Sequence, residues 1–212
     1  AITKDVFRHL ISMHMSLLKF KFDNKVFGIV RNQKCATTSI MSYIAQALWN
    51  ADPKEQQSYR TFQLNAPGVY IRDNLYENYA DQLSTCDVRI AVWRDPVDKF
   101  TSGFMHTMYS PTGAQDNLWI GKPGMDEFLA NYDYYMNNPN VSDHCATNTA
   151  RLGDRKEAYT HVFEYTDADA IALMLGVDTI RHRVALLNQK LSEDNCKLIA
   201  VLMAEDYANG WS

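Results

Sequence analysis

Two short apolar runs, Lys25–Val30 (KVFGIV) and Val88–Trp93 (VRIAVW), each lead through a polar segment toward a helix. Short, mainly apolar runs of this length suit parallel strands buried on both faces. The first run is followed by the polar stretch Arg31–Thr37. After it Ile40, Tyr43, Ile44, Ala47 and Leu48 recur at helical spacing. This order of strand, loop and helix places a helix N-terminus over the end of a strand. The second run is followed by Asp95-Pro96, where Asp95 can cap a helix, Pro96 suits its first position and Asp98 supplies a carboxylate in its first turn. His161–Tyr165 (HVFEY) reads as a third strand, with a helix from Asp167 onward. Strands alternating with helices predict an α/β fold, a central parallel sheet flanked by helices. The 212 residues suffice for one such domain, and no linker divides them.

The other segments fill in around this frame. Val6, Phe7, Leu10, Ile11, His14, Leu17 and Leu18 recur at helical spacing, which predicts an amphipathic helix over residues 6–22. Residues 51–73 and 110–124 read as irregular or loop, and residues 137–142 as turn. Asn74–Leu83 and Met125–Met136 read as helices, and Ser192 caps a closing helix that runs to about Ala208.

Composition narrows the function classes. A net charge of −4 with no basic face argues against a general nucleic-acid binder. A local anion site needs only a few placed cations and backbone N–H groups, so it stays open. No stretch approaches the ~20 apolar residues of a membrane span, and an anchor outside this sequence would leave no trace in it. Cys35, Cys86, Cys145 and Cys196 lie far apart, with no Cys/His cluster, which argues against zinc and toward a reducing, cytoplasmic setting. One or two disulfides would still be compatible with their number.

Two segments carry chemistry. Between Arg31 and Ser39 (RNQKCATTS) lie cations, small residues and three hydroxyls, immediately before a helix. Backbone N–H groups and the helix dipole favour an anion there. Lys34 adds a mobile positive charge, and Thr37, Thr38 and Ser39 add neutral donors. The same residues also read as a capped helix start beside a solvated lysine, and the loop alone does not choose. It is not a Walker A loop, which needs G-x-x-x-x-G-K-[ST], because no glycine lies between Arg31 and Ser39. At the second strand's end stands Arg94, with Ser102 eight positions on. Helical side chains lean toward the N-terminus, so Ser102 can reach back toward Arg94. An Arg fork plus a hydroxyl suits a phosphate. An Arg paired with a local Asp and a routine helix serine is the plainer alternative. Strand C-terminal ends are where open α/β sheets bind ligands.

Together the two segments resemble the sulfotransferases that use 3′-phosphoadenosine 5′-phosphosulfate (PAPS). Lys34-Cys35-Ala36-Thr37-Thr38-Ser39 resembles that family's 5′-phosphosulfate loop, P-K-x-[GA]-[ST]-[ST]. Arg94-Asp95-Pro96 with Ser102 resembles its 3′-phosphate motif. The carbohydrate-sulfotransferase branch is the most similar. Phe128 and its helix fit that branch's pattern, and Asp143–Asn148 (DHCATN) resembles its H-W-x-P-Q segment. Tyr159–Asp167 resembles its strand ending in an acidic residue, and Asp206-Tyr207 its C-terminal Asp-Tyr pair. Departures are Gln33 for the usual Pro, Ala36 where Gly is common, Asn148 for Gln, and no Trp or Pro in the H-W-x-P-Q segment.

The resemblance implies a P-loop-like sulfotransferase domain and an in-line displacement at sulfur, with PAP as the leaving group. Lys34 would meet the charge that develops on the departing 5′-phosphate. The backbone and side chains of Cys35, Ala36, Thr37, Thr38 and Ser39 would hold that phosphate, and Arg94 and Ser102 the 3′-phosphate. No metal is expected. His144 is the first candidate for the general base, then Glu55, then His106; each also has an ordinary reading as a turn brace, a solvated charge or a helix-surface residue. Cys35 is read as a small loop residue, not a nucleophile. The acceptor would be a glycan, slightly favoured, a tyrosine-containing peptide, or a small phenol or alcohol. A homodimer is compatible with this reading but rests on no residue pattern. The rival readings are a nucleoside or small-molecule kinase with an atypical P-loop, and a non-catalytic module that kept the PAP site. Lys34, still present, speaks against the latter.

Overall fold

A computed structural model describes residues 15–50, 52, 69–70, 76–109, 122–180 and 191–212. These fall into two compact units. One holds the described residues up to Trp93 with those of 151–180; the other holds Arg94–Ala150 with residues 191–212. Among the described residues no helix is long and apolar enough to cross a membrane. All four cysteines are thiols.

The first unit is built on a five-stranded sheet of order β3-β1-β2-β4-β5. Its strands are β1 (Met15–Phe22), β2 (Lys25–Val30), β3 (Val69–Tyr70), β4 (Val88–Trp93) and β5 (His161–Glu164). The sheet is mixed, which corrects the expectation of a parallel one. β2, β4 and β5 are parallel neighbours, but β1 pairs antiparallel with both β2 and β3. The cause is a hairpin. Asp23 and Asn24 both take positive φ, 46° and 59°, between the paired residues Phe22 and Lys25. Two left-handed residues in a two-residue loop match the twist of an antiparallel pair. The helix expected over residues 6–22 is thus a strand from Met15 onward; residues 6–14 lie outside the described residues. Leu18, Phe20 and Phe22 face the core by alternation, with Lys19 and Lys21 between them. Phe20 stacks on its cross-strand partner Phe27 with ring centroids 5.3 Å apart.

One sheet face carries Leu18, Phe20, Phe27, Ile29, Val88, Ile90 and Val92. It packs with Ile40, Met41, Tyr43 and Ile44 of the helix Thr37–Trp49 and with Ile171, Ala172 and Leu175 of the helix Asp169–Leu175. Tyr43 ties the two helices by donating its hydroxyl to Asp169 Oδ1 at 2.5 Å. Burial and that bond push the phenol up to about 12. On the opposite face Gly28 lies under the helix Ala80–Ser84, where a Cβ would stand 2.7 Å from Cys86 Sγ. β2 is therefore covered on both sides, which is why its sequence does not alternate. The helix expected over residues 74–83 is a short 3₁₀ turn, Tyr76–Asn78, followed by Ala80–Ser84.

The second unit is helical: Pro96–Tyr109, Met125–Ala130, Tyr132–Met136, Pro139–Cys145, Glu193–Leu202 and Ala204–Ala208. Asp95 caps the first, accepting from the Asp98 N–H at 3.0 Å, and Ser192 caps Glu193–Leu202. The expected turn at 137–142 is instead the start of a helix. Asn138 Oδ1 accepts from the N–H groups of Asn140 and Val141, and Pro139 takes the first helical position. Asn-Pro here is a cap, not a turn. The core gathers Phe100, Phe104, Phe128, Tyr135, Val141, Cys145, Ile199 and Met203.

Gly103 sets the closest approach in this unit. A Cβ at that position would stand 2.3 Å from the His144 carbonyl oxygen and 2.8 Å from its carbon. The obstacle is backbone, so no rotamer change relieves it. Gly103→Ala is expected to lower unfolding stability by about 3 kcal/mol, the upper part of the usual overpacking range. A denaturant midpoint equal to wild type would contradict this packing.

Candidate functional site

The anion loop leaves β2 and enters the helix Thr37–Trp49 through two residues of uncommon conformation. Lys34 has φ 65° and Ala36 φ 56°, with Cys35 of negative φ between them. Alternation of right- and left-handed residues is a backbone pattern found in anion-binding nests. For non-glycine residues each left-handed position costs about 1–2 kcal/mol. Glycine is the residue type for which this backbone is free of strain.

Asn32 fixes the loop against the sheet. Its side-chain amide donates to the Val92 carbonyl near the end of β4, at 3.1 Å. Its own carbonyl accepts from the Cys35 N–H at 3.2 Å and from the Thr37 hydroxyl at 2.9 Å. The loop thus closes on itself beneath the helix start.

These bonds sort the expected anion ligands. Lys34, Thr38 and Ala36 are half-buried. Cys35 is buried in the sheet–helix core, so its backbone is what the loop side presents. The Thr37 hydroxyl is engaged with Asn32, and the Ser39 hydroxyl is hydrogen-bonded to Tyr43. Lys34 and Thr38 are the expected ligands whose side chains can bring a donor to an anion, beside the N–H groups of the helix's first turn. Asn32 was missed in the sequence; a polar residue just past a buried strand was its only signal.

The second unit contains Arg94, Ser102, His106 and His144. Arg94 and Ser102 are both buried. The Arg94 carbonyl accepts from the Asn148 side-chain amide at 2.9 Å. Asn148 and Thr149 donate their backbone N–H groups to the two Asp206 carboxylate oxygens, at 2.7 and 2.6 Å. Three segments singled out separately in the sequence, Arg94–Pro96, Asp143–Asn148 and Asp206-Tyr207, therefore meet in one buried polar network. Lys99, also buried, donates its ammonium to the Ala146 carbonyl. Burial raises the Asp206 carboxyl; the N–H bonds from Thr149 and Asn148 and the Lys99 charge act the other way.

Two of the three base candidates come together. The His106 and His144 rings stack with centroids 4.7 Å apart and planes 30° apart. His144 Nδ1 lies 2.8 Å from the Asn140 carbonyl oxygen, one turn earlier on its helix. A carbonyl only accepts, so Nδ1 carries the proton and Nε2 is the basic nitrogen of the neutral ring. Glu55 lies outside the described residues. Among the described residues no three His, Cys, Asp or Glu side chains are grouped to hold a metal ion.

No protein-family model, curated protein or solved structure matches the chain.

Proposed function

We propose that this protein is a PAPS-dependent sulfotransferase. Its loop at Lys34–Ser39 takes the donor's 5′-phosphosulfate, and Arg94 with Ser102 takes the 3′-phosphate. The observation that carries this reading is the left-handed backbone at Lys34 and Ala36, directly before a 13-residue helix and at the C-terminal end of a strand. A merely capped helix start does not require two such residues. Strain of this kind persists where the surrounding structure over-determines it, commonly at ligand clamps.

In this proposal the acceptor attacks sulfur, the bond from sulfur to the bridging oxygen breaks, and PAP departs with the negative charge. Lys34 and the first-turn N–H groups meet that charge as it develops, which is where fixed donors accelerate transfer. Arg94 and Ser102 fix the donor by its far end. His144 Nε2 takes the acceptor proton. The acceptor is a glycan by preference, with tyrosine peptides and small phenols or alcohols next.

The 3′-phosphate assignment is tested by calorimetry with PAP and with adenosine 5′-phosphosulfate, which lacks that phosphate. PAP should bind more tightly, and Arg94→Ala should cost about 1.5–3 kcal/mol of PAP binding, the scale of hydrogen bonds to a charged group. Equal affinities for the two nucleotides would sink the assignment.

A further inference from the structure

We infer that Asn148 and Asp206 are positioning residues for Arg94, and through it for the grip on the donor's 3′-phosphate. This assignment rests on the donor reading proposed above.

The Arg94 carbonyl sits at a gap in the backbone hydrogen-bond pattern. The pairing of β4 with β5 ends at Trp93 and Glu164. The first helical bond after it runs from the Lys99 N–H to the Asp95 carbonyl. Arg94 therefore belongs to neither ladder, and a buried carbonyl there must be satisfied by another group. Asn148 supplies that group across 54 positions of sequence. A single amide does not fix a backbone unless it is itself fixed. Asp206 does that by accepting two N–H groups, those of Asn148 and Thr149, on its two oxygens. Asn148 and Asp206 are both 0% exposed. The Asp206 backbone is held in turn by the buried Trp211, which donates its N–H to the Asp206 carbonyl at 2.8 Å.

A carboxylate in such a place is weak evidence for stability, because well-packed apolar residues often serve a core better. What a fully bonded polar network supplies is one defined arrangement. Here its output is the position of the residue from which the guanidinium departs. Sequence resemblance to the H-W-x-P-Q segment marked this stretch without assigning Asn148 a partner.

The test compares PAP with adenosine 5′-phosphosulfate on wild type, Arg94→Ala and Asn148→Ala, with thermal melting of each. Asn148→Ala should lower PAP affinity about tenfold, the loss of roughly one well-placed hydrogen bond. Affinity for adenosine 5′-phosphosulfate should stay unchanged, so the ratio of the two falls toward that of Arg94→Ala. A purely structural residue would lower the melting temperature and leave the ratio intact, which would overturn the inference. No preference for PAP in the wild type would instead overturn the donor reading. A second measurement needs no variant. In the wild type, PAP should slow hydrogen exchange of the amides at Asn148 and Thr149, and adenosine 5′-phosphosulfate should not. Equal exchange with both nucleotides, in a protein that prefers PAP, would also overturn it.

Discussion

Lys34→Ala is expected to lower kcat by about 10²–10³, the usual loss on removing one donor aimed at developing charge. The fall in PAP affinity should be much smaller. The reason lies in when the charge appears. In bound PAPS the bridging oxygen carries little charge; as the sulfur bond breaks, the 5′-phosphate gains it. A side chain that serves this change lowers kcat and kcat/KM together, whereas one that only holds the donor raises KM. In the proposed mechanism Lys34 does the former, from a backbone that is left-handed at φ 65° one step before the buried Cys35. Lys34→Arg keeps the charge on a larger, planar group and should recover part of the rate. Full kcat in Lys34→Ala would contradict the proposed mechanism while leaving donor binding standing.

His144→Ala should reduce kcat by about 10²–10⁴, the common range for a general base, with PAP affinity nearly unchanged. In the proposed mechanism Nε2 takes the proton, since Nδ1 lies against the Asn140 carbonyl, and the His106 ring stacks on one face of the imidazole. The acidic limb of the pH–rate profile should disappear with the imidazole. His106→Ala removes the stacked neighbour but not the basic nitrogen, so its loss should be smaller. Near-normal activity in His144→Ala with an inactive His106→Ala would transfer the base role to His106. An inactive Glu55→Gln beside an active His144→Ala would transfer it to Glu55. In either case the donor assignment would survive.

The parts of the fold that were legible in the sequence are those set by local pattern. Val88–Trp93 is a short run interrupted only by Arg89, and Asp95-Pro96 carries both a cap and a first-turn proline; strand and helix stand where those signals place them. β1 was misread because apolar residues at helical spacing run up to Leu18, over the start of a shorter alternation, Leu18-Lys19-Phe20-Lys21-Phe22. The Asp23-Asn24 turn behind that alternation was the decisive signal, since it reverses the chain and makes the sheet mixed. At the candidate site the loop and the Arg-Asp-Pro segment were legible as motifs. Their supports were not. Asn32 reaches Val92 across 60 positions, and Asn148 reaches Asp206 across 58. No single-sequence periodicity encodes such pairs. The approach of Gly103 to His144 is hidden for the same reason: a glycine inside a helical pattern signals only missing side-chain volume until the neighbouring helix is in place.

The central claim, sulfuryl transfer from PAPS, is tested most directly by incubating the whole chain with PAPS labelled at sulfur. The acceptors are glycans, tyrosine peptides and phenols, assayed with EDTA and, separately, with Mg²⁺. Label on an acceptor with matching release of PAP, undiminished by EDTA, is the predicted result. Failure to label any acceptor, together with Mg²⁺-dependent phosphoryl transfer from ATP to a small molecule, would contradict it and establish the kinase reading in its place.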